Sequence, residues 1–329
     1  MKSLKSAKVG GKRVLVRVDF NVFPPKHDEL RIVKTLPTLK YLLSKKAKVI
    51  MLTHYETNQG EIPSVRGLAD ILRKNYFPKL KFSETNLAPG EISILENLRK
   101  DSREKECDEG FAGELATLGD IYVNEAFAAS HRKHTSIFFL PKLLPSYPGF
   151  LFENEIKNLS KVFKPSHPFT LILGGGKVET KLPLLEKLLP KADYVLLGGV
   201  LLNLFIMEKK SLFSPKLILP KQIISSGKKV LDVGPESFPE WKKIINKSKL
   251  VVWNGPLGYL EKGHIGGTRE LISILSRSKN RVILGGGDTL DCLPASKRKF
   301  PKNIFISTGG GAMLDYLVKG TLPGIEALG

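Results

Sequence analysis

Short apolar runs alternate with amphipathic segments along this 329-residue chain, and that alternation leaves few folds open. Arg13–Phe20, Ala47–His54, Glu91–Glu96, Asp120–Phe127 and Phe169–Gly174 have the length and β-branched content of buried strands. So do Ala192–Gly198, Lys229–Gly234, Lys249–Asn254, Arg281–Gly286 and Asn303–Ser307. Between them, Ile32–Ser44, Ser64–Lys74, Val178–Leu189 and Thr268–Ser278 carry helical apolar spacing. Strands alternating with helices build parallel sheets covered on both faces. About ten strands exceed one ordinary sheet of five or six. The pattern therefore predicts an α/β chain of two doubly wound parallel-sheet domains. The boundary is expected at Pro148-Gly149, because Leu140–Pro148 holds Pro141, Pro145 and Pro148, which disfavour regular structure. A helix over Phe150–Phe163, ended by Lys164-Pro165, would join domain 1–149 to domain 150–311.

The stretch Leu171–Lys181, LILGGGKVETK, is the clearest local signal. A strand end runs into three glycines and then a helix, which admits backbone N–H groups to a phosphate. Taken alone it also reads as a tight turn with two solvated lysines, Lys177 and Lys181, one helical turn apart.

Charge narrows the partners. The formal net charge of +20 attracts anions. Its lysines and arginines are spread along the chain without a zinc-finger, RGG or RNA-binding pattern, so nucleic-acid binding is not expected as the main function. The longest apolar run, Tyr194–Met207, is too short to cross a bilayer, so no membrane role is expected. The first residues lack the apolar core of a secretory leader, and the two cysteines lie far apart, which suits a reducing cytoplasm.

In open α/β sheets, ligands bind beyond the carboxyl ends of the strands. In the first half those positions supply Arg17, Asp19, Asn21, His54, Glu96, Asn97, Arg99, Glu125, His131, Arg132 and His134. In the second half they are mostly glycine: Gly174–Lys177, Gly198-Gly199, Asn254-Gly255-Pro256, Gly285–Asp288 and Gly309–Gly311. The first set suits a small, highly anionic substrate. The second, with its aspartate, suits a nucleotide whose phosphates carry Mg²⁺. Together they predict two domains facing each other across a cleft, with group transfer across it and closure that excludes water.

In this order, VRVDFNV (Val16–Val22), LENLR (Leu95–Arg99), DIYVNEAFAASHRKHTS (Asp120–Ser136), LILGGGKVETK, LDVGP (Leu231–Pro235), VWNGPLGY (Val252–Tyr259), GGGDT (Gly285–Thr289) and STGGGA (Ser307–Ala312) resemble the phosphoglycerate kinase family nearly end to end. The resemblance implies reversible phosphoryl transfer between 1,3-bisphosphoglycerate and MgADP, giving 3-phosphoglycerate and ATP, by a chain expected to be a monomer. It implies that Asp19 and Asn21 hold the glycerate, and that Arg31, His54, Arg99 and Arg132 form a basic patch around the phosphate, with Arg31 stabilising the transferring group. Gly174, Gly175, Gly198 and Gly199 would wall the adenine. Lys177 and Lys181 would meet the phosphates, and Lys181 the transferring group. Asn254, Pro256, Gly258 and Glu261 would line the nucleoside. Asp288 would hold Mg²⁺, a role compatible with a helix N-cap, while Gly287 and Thr289 face the phosphates. Gly309 and Gly310 would aim a helix N-terminus at the migrating group, and the tail 312–329 would return to the first domain.

Two departures stand out. After the second strand the family has His-Leu-Gly-Arg-Pro, whose arginine contacts substrate phosphate; here Glu56 and Thr57 take the Gly-Arg positions. Losing one charged hydrogen bond, worth roughly 1.5–3 kcal/mol, would weaken substrate binding by about one to two decades. The chain is also short for the family, chiefly between Gly199 and Leu219, which would alter the adenine wall.

Overall fold

The computed structural model describes residues 1–21, 29–57, 59–208, 214–287, 289, 292 and 300–329. The chain divides into two compact units, Met1–Ile156 with Thr321–Gly329, and Lys157–Gly320. The division falls inside the helix Phe150–Leu159.

Among the described residues, the first unit holds a six-stranded parallel sheet in the order β3-β4-β2-β1-β5-β6. Its strands are β1 (Arg13–Arg17), β2 (Lys48–Leu52), β3 (Lys81–Phe82), β4 (Ile92–Ile94), β5 (Ile121–Asn124) and β6 (Ser146–Pro148). Consecutive residues of β1, β2 and β5 are buried, so helices cover both faces of the sheet. Val14, Val16, Leu39, Val49, Met51 and Val123 belong to one apolar core. Each such side chain contributes on the order of 1.5–3 kcal/mol when taken from water. Register matters more for function. Arg17 pairs with Leu52 and with Asn124, and Met51 with Ile94, so the central strands end level and their following loops emerge side by side.

The second unit repeats the plan in the order β14-β13-β12-β7-β8-β9. Here β7 is Phe169–Leu173, β8 Tyr194–Leu197, β9 Leu217–Ile218, β12 Leu250–Asn254, β13 Arg281–Gly285 and β14 Ile304–Ser307. Leu173, Leu197, Asn254, Gly285 and Ser307 lie level across the sheet. The predicted strand Lys229–Gly234 does not join it. As β11 (Lys229–Val233) it pairs antiparallel with β10 (Ile223–Ser226) in a separate hairpin.

Leu140–Pro148, expected to be irregular, is not. It forms a short helix, Leu140–Leu143, and the edge strand β6. Pro141 sits in the first turn of the helix, where its missing N–H has no partner to lose, and an edge strand tolerates Pro148. Glu125, just after β5, then accepts the Leu151 and Phe152 N–H groups at 3.1 and 3.0 Å and so caps the helix Phe150–Leu159. At the other end of the chain, Gly324 N–H donates to the Ser130 carbonyl at 3.0 Å, fixing the closing helix Pro323–Glu326 to the first unit. Among the described residues, no helix is long and apolar enough to cross a membrane.

Candidate active site

In the first unit the loops after β1, β2 and β4 are laced together. Phe20 N–H donates to Thr53 Oγ1, Glu56 N–H to Asn21 Oδ1 at 3.1 Å, and Tyr55 and Arg99 N–H groups both to Asn97 Oδ1 at 3.1 Å. Arg31, in the first turn of the helix Glu29–Ser44, reaches Asp19 Oδ2 at 3.2 Å. Burial pushes the Asp19 carboxyl up, but the positive charge of Arg31 and its neighbours outweighs it and holds that group at about 2. Asp19 is thus a buried anion that keeps Arg31 poised at the strand end.

Arg17 is fully buried and takes no place at the surface. It donates to Ser136 Oγ at 2.7 Å, to the Val18 carbonyl at 2.6 Å and to His54 Nδ1 at 2.9 Å, and lies 3.7 Å from Glu104. A guanidinium only donates, so Nδ1 of His54 is the acceptor and its hydrogen sits on Nε2. Burial, then Arg17, drives the His54 pKa well below its ordinary value. The sequence grouped His54 with the arginines of a basic patch. In the structure its ring is neutral, accepts from Arg17 and carries its remaining hydrogen on Nε2. His134 behaves alike, with burial and the surrounding arginines lowering it to about 3.

Arg99 is 5% exposed. Its Nη1 donates to Glu56 Oε2, while Nε and Nη2 are buried without a partner among the described residues. Burial lowers its pKa first, opposed by Glu56, and the like charges of Arg132 and Arg17 lower it further. Arg132 itself is exposed, its Nε 3.3 Å from His131 Nε2. Mutually repelling cations with unspent donors fit a compact anion. Thr57, at the position of the family's arginine, instead closes a local turn: its N–H donates to the Glu61 carbonyl and its Oγ1 accepts the Glu61 N–H. Arg66 lies over the Phe82 ring.

The second unit builds its loops from backbone. Gly174 N–H donates to the Asn254 carbonyl, Gly175 N–H to that of Pro256, Gly199 N–H to that of Leu257, and Val200 N–H to that of Gly175. A Cβ on Gly174 would stand 2.1 Å from the Pro256 oxygen, and one on Gly199, at φ +55°, 2.5 Å from the Gly175 nitrogen. The loops need glycine at these positions to mesh with one another. Gly176, by contrast, faces open space.

Lys177 and Lys181 part company. Lys177 is exposed at the N-cap of the helix Val178–Leu188, whereas Lys181 is 7% exposed and donates Nζ to Asn254 Oδ1. Neither that helix nor Gly311–Lys319, entered through Gly310 at φ 51°, has a side-chain cap. The helix Gly266–Arg277 differs, because buried Asp232 accepts the Gly267 N–H at 3.0 Å. Open helix N-termini favour anions. Gly309 N–H is held by Ser307 Oγ at 3.1 Å.

A cavity of about 600 Å³ opens between these loops, lined by Gly175, Gly199, Pro256, Gly258 and Glu261 among the predicted residues. Its volume and glycine rim suit a nucleoside. Asn203, Lys229 and Tyr259 also line it, and sequence reasoning assigned none of them to the site. Asn203 joins the helix Gly199–Glu208 to Val230 through both backbone groups of that residue, and Lys229 lies over the Tyr259 ring. No spacing rule marks such residues in advance. A larger groove, about 770 Å³, lies around Phe238, Lys242 and Ile274 and shares no residue with the glycine loops. Thr289 is buried with its hydroxyl unpartnered among the described residues, Gly287 is exposed, and Asp288 lies outside the described residues. Among the described residues no group of three acidic, histidine or cysteine side chains could hold a metal.

Fold and loops define a two-domain α/β protein with a cationic site in one unit and a glycine-walled site in the other. The Phosphoglycerate kinase family model matches residues 4–218 and 209–320, and the chain belongs to that family. It is 36% identical to the phosphoglycerate kinase of Orientia tsutsugamushi (strain Boryong) over 396 residues, covering 100% of this chain and 98% of that one. It is 34% identical to that of Coprothermobacter proteolyticus, covering 100% and 98%. The phosphoglycerate kinase structure from Pyrococcus horikoshii OT3 superposes with a TM-score of 0.87 at 28% identity, covering 100% of this chain and 98% of that one. That from Coxiella burnetii gives 0.83 at 30%, covering 99% and 98%. The two family matches overlap at 209–218, inside the stretch that sequence reasoning marked as shortened.

Proposed function

We propose that the chain catalyses reversible phosphoryl transfer between 1,3-bisphosphoglycerate and MgADP, giving 3-phosphoglycerate and MgATP, in a cytoplasmic setting. The observation that carries the reading is the chemistry of the two loop clusters within a full-length family match: repelling arginines in one unit, a nucleoside-sized glycine cavity beside buried Lys181 in the other. Asp19, Asn21, His54, Arg99 and Arg132 bind the phosphoglycerate, His54 through Nε2–H. Arg31, Lys181 and the helix N-terminus at Gly309-Gly310 face the charge that spreads over the transferring group. Gly174, Gly175, Gly198, Gly199, Asn254, Pro256, Gly258 and Glu261 hold the nucleoside, and Lys177, Gly287 and Thr289 its phosphates. Asp288 would hold the Mg²⁺ that accompanies the nucleotide and neutralises its phosphates. Both attacking oxygens, phosphate or carboxylate, are already ionised at neutral pH, so no general base is needed.

A second reading, nucleotide binding with weak transfer, is favoured by one observation: Glu56 occupies Arg99 while Thr57 offers no cation. A coupled assay with ATP, Mg²⁺ and 3-phosphoglycerate separates the two. We expect turnover in the wild type and a loss of about 10²–10³-fold in kcat for Lys181→Ala. No turnover in the wild type, with MgADP still bound, would favour the second reading.

A further inference from the structure

We propose that Glu56 is a resident counter-anion of the cationic cluster, which holds Arg99 and Lys105 until a substrate phosphate displaces it and thereby sets the affinity of the anion site. The inference rests on the reading of that cluster as the phosphoglycerate seat.

One Glu56 carboxylate oxygen accepts a hydrogen bond from Arg99 Nη1, and the other lies 2.9 Å from Lys105 Nζ. The backbone forces this placement, since Glu56 N–H is held by Asn21 Oδ1 and Tyr55 N–H by Asn97 Oδ1, which also takes Arg99 N–H. Glu56 is therefore built into the same lattice as the predicted glycerate ligands. Its bond to Arg99 uses Nη1 and leaves the side-on edge, Nε and Nη2, without an acceptor among the described residues. That edge is the one that donates to two oxygens of a phosphate at once. An anion seated on that edge shares the guanidinium with the Glu56 carboxylate on Nη1, and the repulsion between the two drives the carboxylate off.

The electrostatics point the same way. Glu56 is held below its ordinary pKa, first by its hydrogen bond to Lys105 and then by Arg99, so it stays ionised at neutral pH. Its side chain is 24% exposed against 3% for Arg99. The exchangeable partner is the carboxylate and the fixed one is the guanidinium. Without an anion, Arg99 stands among the like charges of Arg132 and Arg17, and Glu56 offsets them. With a phosphate present the same carboxylate becomes a like-charge neighbour and opposes binding.

The test is calorimetric titration of 3-phosphoglycerate, and separately of MgADP, into the wild type, Glu56→Gln and Glu56→Asp. Glu56→Gln should bind 3-phosphoglycerate about tenfold more tightly, the gain expected for relieving one charged contact, with MgADP affinity unchanged. Glu56→Asp, a methylene too short to bridge both cations, should gain less; it keeps the question answerable where the glutamine variant does not fold. The gain should shrink as salt rises. If the wild type binds 3-phosphoglycerate and the variants bind it equally or more weakly, Glu56 is a positioning residue for Arg99 and the inference is overturned while the proposed reaction stands. If no form binds 3-phosphoglycerate but all bind MgADP, the reading of the cluster fails and the inference with it.

Discussion

Level parallel strands in both units deliver loops to one edge of a sheet, yet the first unit fills that edge with charge and the second with backbone. Charge needs company. Arg31 leans on Asp19, Arg17 on Glu104 and Arg99 on Glu56, each cation close to a carboxylate of its own unit. Backbone needs room, and the second unit obtains it by removing side chains where loops approach within van der Waals contact. The difference teaches what each surface is sensitive to. The first answers to pH, salt and competing anions; the second answers to volume. A cationic seat can be retuned by one carboxylate, whereas a meshed glycine seat changes only when loops are rebuilt.

The largest effect on this contrast should come from volume. Gly174→Ala would drive a methyl into the Pro256 carbonyl and should cost roughly 3 kcal/mol of stability and most of the nucleotide affinity. Gly176→Ala, facing open space, should stay within about 0.5 kcal/mol. Denaturant unfolding of the pair, with MgADP titration, checks both; equal effects would mean that meshing is not why these glycines are present.

A smaller effect concerns Glu125. Burial raises its carboxyl to about 7, above the ordinary 4.5, while Thr38 and the Leu151 and Phe152 N–H groups pull it down. A raised folded pKa means that the group's contribution is fully present below about 4.5 and is lost as pH rises through about 7. The stability difference between wild type and Glu125→Gln should therefore shift against the wild type by on the order of 2–3 kcal/mol across that window. The buried neutral histidines, His54 and His134, act in the opposite direction on both proteins and cancel from the difference. A difference that is flat with pH would show that Glu125 is ionised throughout.

Much of this was legible in the residues and some was not. Each predicted apolar run contains a strand because continuous burial leaves a strong signal. The strands Lys81–Phe82, Leu217–Ile218 and Ser146–Pro148 are too short to leave one. The hairpin at Lys229–Val233 shares its composition with sheet strands, and only its partner distinguishes it. Asp19, Asn21 and Arg99 were legible as polar residues that follow strand ends, and Arg31 only through the family resemblance. The neutrality of His54 was not, for it depends on Arg17, which in turn depends on Glu104 and Ser136, about a hundred residues away. Nor could spacing reveal that Lys177 is exposed while Lys181 turns inward to Asn254.

The central claim is that the charged unit binds the phosphoglycerate and the glycine unit the nucleotide. Titrating Arg31→Ala with each ligand in turn tests it most directly. The account predicts that 3-phosphoglycerate binding weakens by about ten- to a hundredfold while the Kd for MgADP stays within about twofold. Unchanged 3-phosphoglycerate binding, or an equal loss for MgADP, would contradict it.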